Sequence, residues 1–168
     1  SVDDILDVAA QKDEPPFVIV ADEIADPHNL GAIIRTAECA GAHGVIISAR
    51  RSASLSFAVA KVSAGAFEHV KVARVTNIPS VLEVLKDRGL WIYGADIEGR
   101  PYCEVDLTGA VALVIGSEGF GISRLVKKKC DFILSLPQLG KINSLNASVA
   151  AGILMYEVAR QRLCLGLK

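Results

Sequence analysis

From Phe17 onward, short apolar runs alternate with amphipathic stretches. Phe17-Val18-Ile19-Val20-Ala21 and Val45-Ile46-Ile47 are continuously apolar, as expected of strands covered on both faces. Val70 to Val75 alternates apolar and charged positions and predicts a strand. Leu90 to Ala95, Val111 to Ile115 and Asp131 to Leu136 complete the set. Between them, Leu30, Ile33, Ile34 and Ala37 recur at helical spacing, with Asn29 placed as the N-cap and Gly41 to Gly44 closing the helix. Arg50 to Ala66 is polar and then helical with Lys61 exposed, Ile78 to Asp87 is an amphipathic helix closed at Gly89, and Glu98 to Thr108 reads as a polar connection. Strands alternating with helices predict an α/β domain, a mainly parallel sheet of about six strands with helices on both faces. Residues 1–15 are acidic and run into Glu14-Pro15-Pro16, which blocks a helix, so they read as a linker ahead of a domain over 16–168.

A length of 168 residues fits that single domain, and a composition 51% hydrophobic but only 5% aromatic fits a Val/Ile/Leu/Ala-filled sheet. No apolar run approaches the roughly 20 residues that span a bilayer, and no basic segment followed by an apolar core opens the chain, so the expectation is a cytoplasmic protein without a membrane partner. The 4 cysteines, Cys39, Cys103, Cys130 and Cys164, are scattered, without a CxxC pair or a histidine cluster. They predict buried free thiols and no metal site. A net charge of −1 does not announce a nucleic-acid binder; the local basic clusters are Arg50-Arg51 and Lys127-Lys128-Lys129.

Candidate chemistry concentrates in the last quarter. Ile115 leads into Gly116-Ser117-Glu118-Gly119-Phe120-Gly121, and Leu136 leads into Pro137-Gln138-Leu139-Gly140-Lys141-Ile142-Asn143-Ser144. Loops at the carboxyl ends of neighbouring parallel strands open into one crevice, where a ligand is expected. The glycine run is G-x-x-G-x-G near the end of the chain, not the G-x-G-x-x-G of a dinucleotide site near its start, which argues against nicotinamide chemistry. Asn143-Ser144 reads as the cap of a final helix continuing to about Leu163. One face of that helix is apolar (Leu145, Val149, Ile153, Tyr156), and Ala147, Ala150, Ala151 and Gly152 would let another backbone come close. Asn146 beside Ser144 places two polar side chains in an otherwise apolar first turn. Arg35 lies one turn past Gly31, a spot without a side chain that leaves room for a substrate or a second subunit.

Three segments together, Asp26-Pro27-His28-Asn29-Leu30-Gly31 through Ala37, Ile115 through Ile122, and Leu136-Pro137 with Ser144-Leu145-Asn146-Ala147-Ser148-Val149-Ala150, resemble in order and separation the three motifs of the SpoU (TrmH-like) RNA ribose 2′-O-methyltransferases of the SPOUT superfamily. The resemblance covers the chain from about Phe17 to Arg162. It implies a carboxyl-terminal trefoil knot, which periodicity does not show, and S-adenosyl-L-methionine held by backbone groups around Gly116, Leu136 and Leu145. It also implies a homodimer with sites at the subunit interface. Arg35 matches the principal catalytic position; Asn29, Glu118, Ser144 and Asn146 match the other polar positions. A guanidinium keeps its proton near neutrality, so stabilising a developing alkoxide suits Arg35 better than general-base work. Gln138 and Ala147 depart from the Met and Val common in the family, without removing a polar group. Arg51-Ser52-Ala53-Ser54-Leu55 and Val158-Ala159-Arg160-Gln161-Arg162 look closest to the branch that methylates a guanosine of large-subunit (23S) rRNA. A tRNA-modifying relative and a noncatalytic RNA-binding assembly factor are the alternatives. The resemblance also implies that residues 1–15 are the remnant of a linker to an amino-terminal RNA-binding domain.

Overall fold

Runs buried on both faces build the middle of a sheet, and that is where the most apolar segments lie. The computed structural model describes residues 1–118 and 121–165; Gly119 and Phe120 of the glycine run lie outside the described residues. The six strands are β1 (Phe17–Ala21), β2 (Gly44–Ser48), β3 (Lys71–Val75), β4 (Trp91–Pro101), β5 (Val111–Ile115) and β6 (Phe132–Ser135). All pairings are parallel, in the order β3-β2-β1-β5-β4-β6. Every residue of β1, β2 and β5 is buried, whereas edge strand β3 buries fully only its central Ala73. The helices are α1 (Val2–Gln11), α2 (Pro27–Cys39), α3 (Phe57–Val62), α4 (Ile78–Asp87), α5 (Arg124–Lys129) and α6 (Ala147–Cys164).

Period-two side-chain alternation divides the core in two. Phe17, Ile19 and Ala21 pack with Leu30, Ile33 and Ile34 of α2 and Leu154, Met155 and Val158 of α6. Val18 and Val20 point the other way, toward Ile5 of α1, Leu82 and Leu85 of α4, and Val126 of α5. The chain therefore has the doubly covered α/β sheet that its hydrophobic pattern predicts.

Residues 2–11, however, form a helix packed on the sheet rather than an extended linker. Ser1 and Asp4 make a capping box, and Ile5 and Ala9 are completely buried. Ile5 occupies the space left by Gly44, where any side chain would collide with it. The Pro pair acts as expected in one respect: the helix ends at Gln11, before Glu14-Pro15-Pro16. Arg162 of α6 fastens that segment by donating to the carbonyls of Pro15 (2.8 Å), Pro16 (3.1 Å) and Gly109 (3.0 Å).

Three further expectations are corrected. β4 runs on into the supposed polar connection, to Pro101, because Arg100 and Pro101 resume pairing with Leu134 and Ser135 of β6 after an irregularity. Cys39, Cys103 and Cys164 are exposed; only Cys130 is partly buried, and burial pushes its thiol up to about 12. The space beside Gly31 is filled from within the chain: a Cβ there would lie 2.7 Å from the Cβ of Val62 on α3.

Candidate active site

The strand order reverses direction between β1 and β5, and ligands of open parallel sheets lie at the carboxyl ends of strands around such a switch point. Asp22 follows β1 directly. Its N–H donates to the Ile115 carbonyl (2.8 Å), tying the two strand ends together, and its Oδ2 accepts from the Ser123 N–H (3.2 Å). Burial raises the Asp22 pKa above the usual carboxylate range, with the Ser123 bond opposing. After β5, Gly116 is irreplaceable on steric grounds, since a Cβ would run into the backbone of Gly121 and Ile122. That contact exists because the loop folds back on itself: the Gly121 N–H donates to the Ser117 carbonyl (2.9 Å), with Gly121 at φ 65°.

The loops after β5 and β6 do converge, but those strands are consecutive only in sequence; β4 stands between them, and its Ala95, Asp96 and Ile97 form part of the wall. The crevice measures about 330 Å³, within the range of small-molecule sites. Ile115, Leu134, Leu136 and Leu145 give it apolar walls, and Gly116, Asp96 and Ser144 contribute backbone or polar groups. The predicted positions Gly116, Leu136, Ser144 and Leu145 thus meet in one cavity.

The expected helix caps move. Asp26 caps α2, its Oδ1 accepting from the His28 N–H (2.8 Å), because Pro27 starts the helix; Asn29 falls inside the first turn and is buried. Asn146, not Asn143-Ser144, caps α6. Its Oδ1 accepts from the backbone N–H of Ser148 (3.0 Å) and Val149 (3.2 Å) and from the Ser148 hydroxyl (2.6 Å). The cap leaves its Nδ2 to donate to Glu118 Oε1 (2.7 Å) and Asn29 Oδ1 (3.1 Å). The Ala147 N–H also donates to Glu118 Oε1 (3.3 Å), placing a carboxylate at the positive end of α6. One amide side chain therefore links residues 117 positions apart.

Arg35 stands away from this cluster. It lies on the exposed side of α2 and lines neither this crevice nor the one beside it. The stripe Leu145, Val149, Ile153 and Tyr156 is likewise exposed, by 41%, 50%, 38% and 53%. The buried apolar residues of α6 are Ala147, Ala151, Leu154, Met155 and Val158; of the small residues assigned to close approach, Gly152 borders α2 of the same chain, where a Cβ would meet Thr36 at an ordinary 3.7 Å, and Ala147 and Ala150 line the crevice.

A second cleft of about 520 Å³ adjoins the first, sharing Ser117, Glu118, Gly121 and Ala147. Asp22, Glu23, Asp26, Asn29 and Arg51 line it. Sequence reasoning missed Asp22 and Glu23; their position directly after a buried apolar strand was a signal, but only the strand order shows that this strand faces β5. Among the described residues, no group of three or more His, Cys, Asp or Glu could hold a metal ion. No described helix is long and apolar enough to cross a membrane.

The pattern of the SpoU rRNA Methylase family matches residues 16–156. YacO of Bacillus subtilis (strain 168), named as a TrmH family tRNA/rRNA methyltransferase, is 54% identical over 162 residues, which are 96% of this chain and 65% of YacO. The chain thus spans about two-thirds, or less, of the curated relatives it matches. Among solved structures, the SpoU methyltransferase AviRb from Streptomyces viridochromogenes, in complex with AdoMet, superposes with a TM-score of 0.83 at 31% identity, over 89% of this chain and 59% of AviRb. The A. aeolicus TrmH/SpoU tRNA modifying enzyme superposes with a TM-score of 0.83 at 30% identity, over 91% and 78% of the respective chains.

Proposed function

Because the chain belongs to the SpoU rRNA Methylase family, we propose that it transfers a methyl group from S-adenosyl-L-methionine to a ribose 2′-hydroxyl of RNA, a guanosine of 23S rRNA, as a homodimer. The observation that carries this reading is the Asn146 amide. It joins Asn29, Glu118 and the start of α6 at the mouth of an apolar crevice suited to an adenosine.

The residues present fit that cofactor. Leu136, Leu145 and Ile115 can enclose an adenine, and the loop at Gly116 offers backbone rather than side-chain atoms. The knot implied by the resemblance would wrap the carboxyl-terminal loop around it. S-adenosyl-L-methionine supplies an already activated sulfonium methyl, so the protein has mainly to align the nucleophile and accommodate the charge it develops.

Those tasks fall to the polar set. Asn146 and Glu118 hold each other and the α6 terminus in a fixed arrangement, and Ser144 on the crevice wall orients the 2′-hydroxyl. Arg35 stabilises the developing alkoxide and a neighbouring phosphate. Its absence from the lining of its own chain's crevice supports supply from the partner subunit, and the exposed apolar stripe of α6 is a surface available for pairing. The rRNA assignment is supported by the local resemblance of Arg51–Leu55 and Val158–Arg162, and exposed Arg50 and Arg51 are available for phosphate contacts.

The test is incubation with isotopically labelled S-adenosyl-L-methionine and separate 23S rRNA and tRNA transcripts, followed by nucleoside mass spectrometry. Label in 2′-O-methylguanosine from 23S rRNA is expected. Label on a base, or in tRNA alone, would overturn the assignment.

A further inference from the structure

The second cleft has chemistry of its own. Asn29 is only 5% exposed, and its Oδ1 is already engaged by Asn146 Nδ2. The orientation of that pair follows from the cap: Asn146 Oδ1 accepts from Ser148 and Val149, so its Nδ2 must face Asn29, and Asn29 must answer with oxygen. The Nδ2 of Asn29 is then the amide atom left over by that pair; it is not among the fully buried atoms without a partner, so it opens on the cleft that Asn29 lines. Such a donor is open to water and equally to an acceptor on a ligand.

Beside it are acceptors. Asp22 Oδ2 accepts one backbone N–H, and the Glu23 carboxylate, 34% exposed, has only a loose contact with Arg51 Nη1 at 3.7 Å. Four carboxylates, Asp22, Glu23, Asp26 and Glu118, against one guanidinium make the cleft a poor place for phosphate and a good one for N–H donors. Because the clefts share Ser117, Glu118 and Ala147, a ribose at their junction with its 2′-hydroxyl toward the first crevice carries its base, on the adjacent ring carbon, into the second.

Resting on the ribose-methylation reading, we infer that this cleft receives the base of the target nucleotide and that Asn29 and Glu23 read it as guanine. The Watson–Crick edge of guanine presents an acceptor, O6, followed by two donors, N1–H and the 2-amino group. An amide N–H beside a carboxylate is its complement. Uracil presents acceptor-donor-acceptor, adenine a donor and an acceptor, and cytosine a donor and two acceptors, so each leaves the carboxylate facing an acceptor or an unmatched position. Enzymes that take a base out of the stack read it in this way, by hydrogen bonds to its Watson–Crick edge.

The test is an NMR titration of the chain, loaded with S-adenosylhomocysteine, with the 5′-monophosphates of guanosine, inosine and uridine, on wild type and Glu23→Gln. The guanosine nucleotide is expected to shift the amide signals of Glu23, Asn29 and Arg51. Inosine, lacking the 2-amino group, should bind about tenfold more weakly, and Glu23→Gln should weaken guanosine binding about tenfold. Equal affinity for the three nucleotides, shifts elsewhere on the surface, no binding, or an unaltered Glu23→Gln would each overturn the inference; the nucleotide comparison on wild type stands even if the variant folds poorly. S-adenosylhomocysteine shifts at Gly116 and Leu145, read in the same spectra, test the ribose-methylation reading separately.

Discussion

Asn146 Nδ2 lies 2.7 Å from Glu118 Oε1, a bond between the N-cap residue of the last helix and a loop 28 positions earlier. It makes the helix cap and the glycine-rich loop a single unit. Asn146→Ala removes both the cap and the cross-link, whereas Asn146→Asp keeps the cap and sets a second carboxylate against Glu118. Asn146→Asp should therefore fold nearly as the parent and lose methyl transfer about a hundredfold, while Asn146→Ala should lose both activity and about 1 kcal/mol of stability. Turnover and thermal midpoints on the two variants check this.

Gly116→Ala places a methyl group against the backbone of Gly121 and Ile122. The loop must open, at a cost of about 2 kcal/mol or more, and the crevice wall moves with it. Calorimetric binding of S-adenosylmethionine should be lost even where circular dichroism shows a folded chain.

The apolar stripe on α6 gives a third expectation. Ile153 is 38% exposed at its middle, and a charge there is compatible with a folded monomer but not with a buried subunit contact. Ile153→Asp should sediment as a monomer where the parent sediments as a dimer, and its methyl transfer should fall about tenfold or more.

His43 makes the fold sensitive to acid. It is buried just before β2, its Nδ1 accepting from the Phe17 N–H (2.9 Å) and its Nε2 facing Glu14 Oε2 (2.8 Å). Burial lowers its pKa, with Glu14 opposing. The unfolded chain therefore binds the proton more readily, so the stability linked to neutral His43 is present above the ordinary imidazole value of about 6.5 and is lost as pH falls below it. The thermal midpoint of wild type should drop between about pH 7 and about pH 5 more steeply than that of His43→Gln.

Much of this architecture was legible in the pattern of apolar positions. β1, β2 and β5 read correctly because burial on both faces leaves an unmistakable continuous run. α1 did not, because only Ile5 and Ala9 of its ten residues are buried and the acidic residues around them resemble a solvated linker. The caps shifted for a local reason: Asp26 and Asn29, like Ser144 and Asn146, are equally good capping types, and the choice fell to Pro27 in one case and to the cross-link with Glu118 in the other. Gly31 and Gly152 read as openings for a partner because local spacing does not reveal that α3 fills the first space and α2 borders the second from within the chain. The site's second half, Asp22 and Glu23, depends on β1 lying beside β5, a pairing between residues nearly a hundred positions apart that no local pattern encodes.

The central claim is that Arg35 completes the crevice of the partner subunit, and mixed dimers test it most directly. Arg35→Ala and Asn146→Asp, each inactive alone, should regain about a quarter of wild-type methyl transfer when co-expressed, since random pairing makes half the dimers mixed and gives each of those one intact site. A mixture no more active than its parents, with mixed dimers confirmed by mass spectrometry, would place Arg35 in the site of its own chain or outside the chemistry altogether.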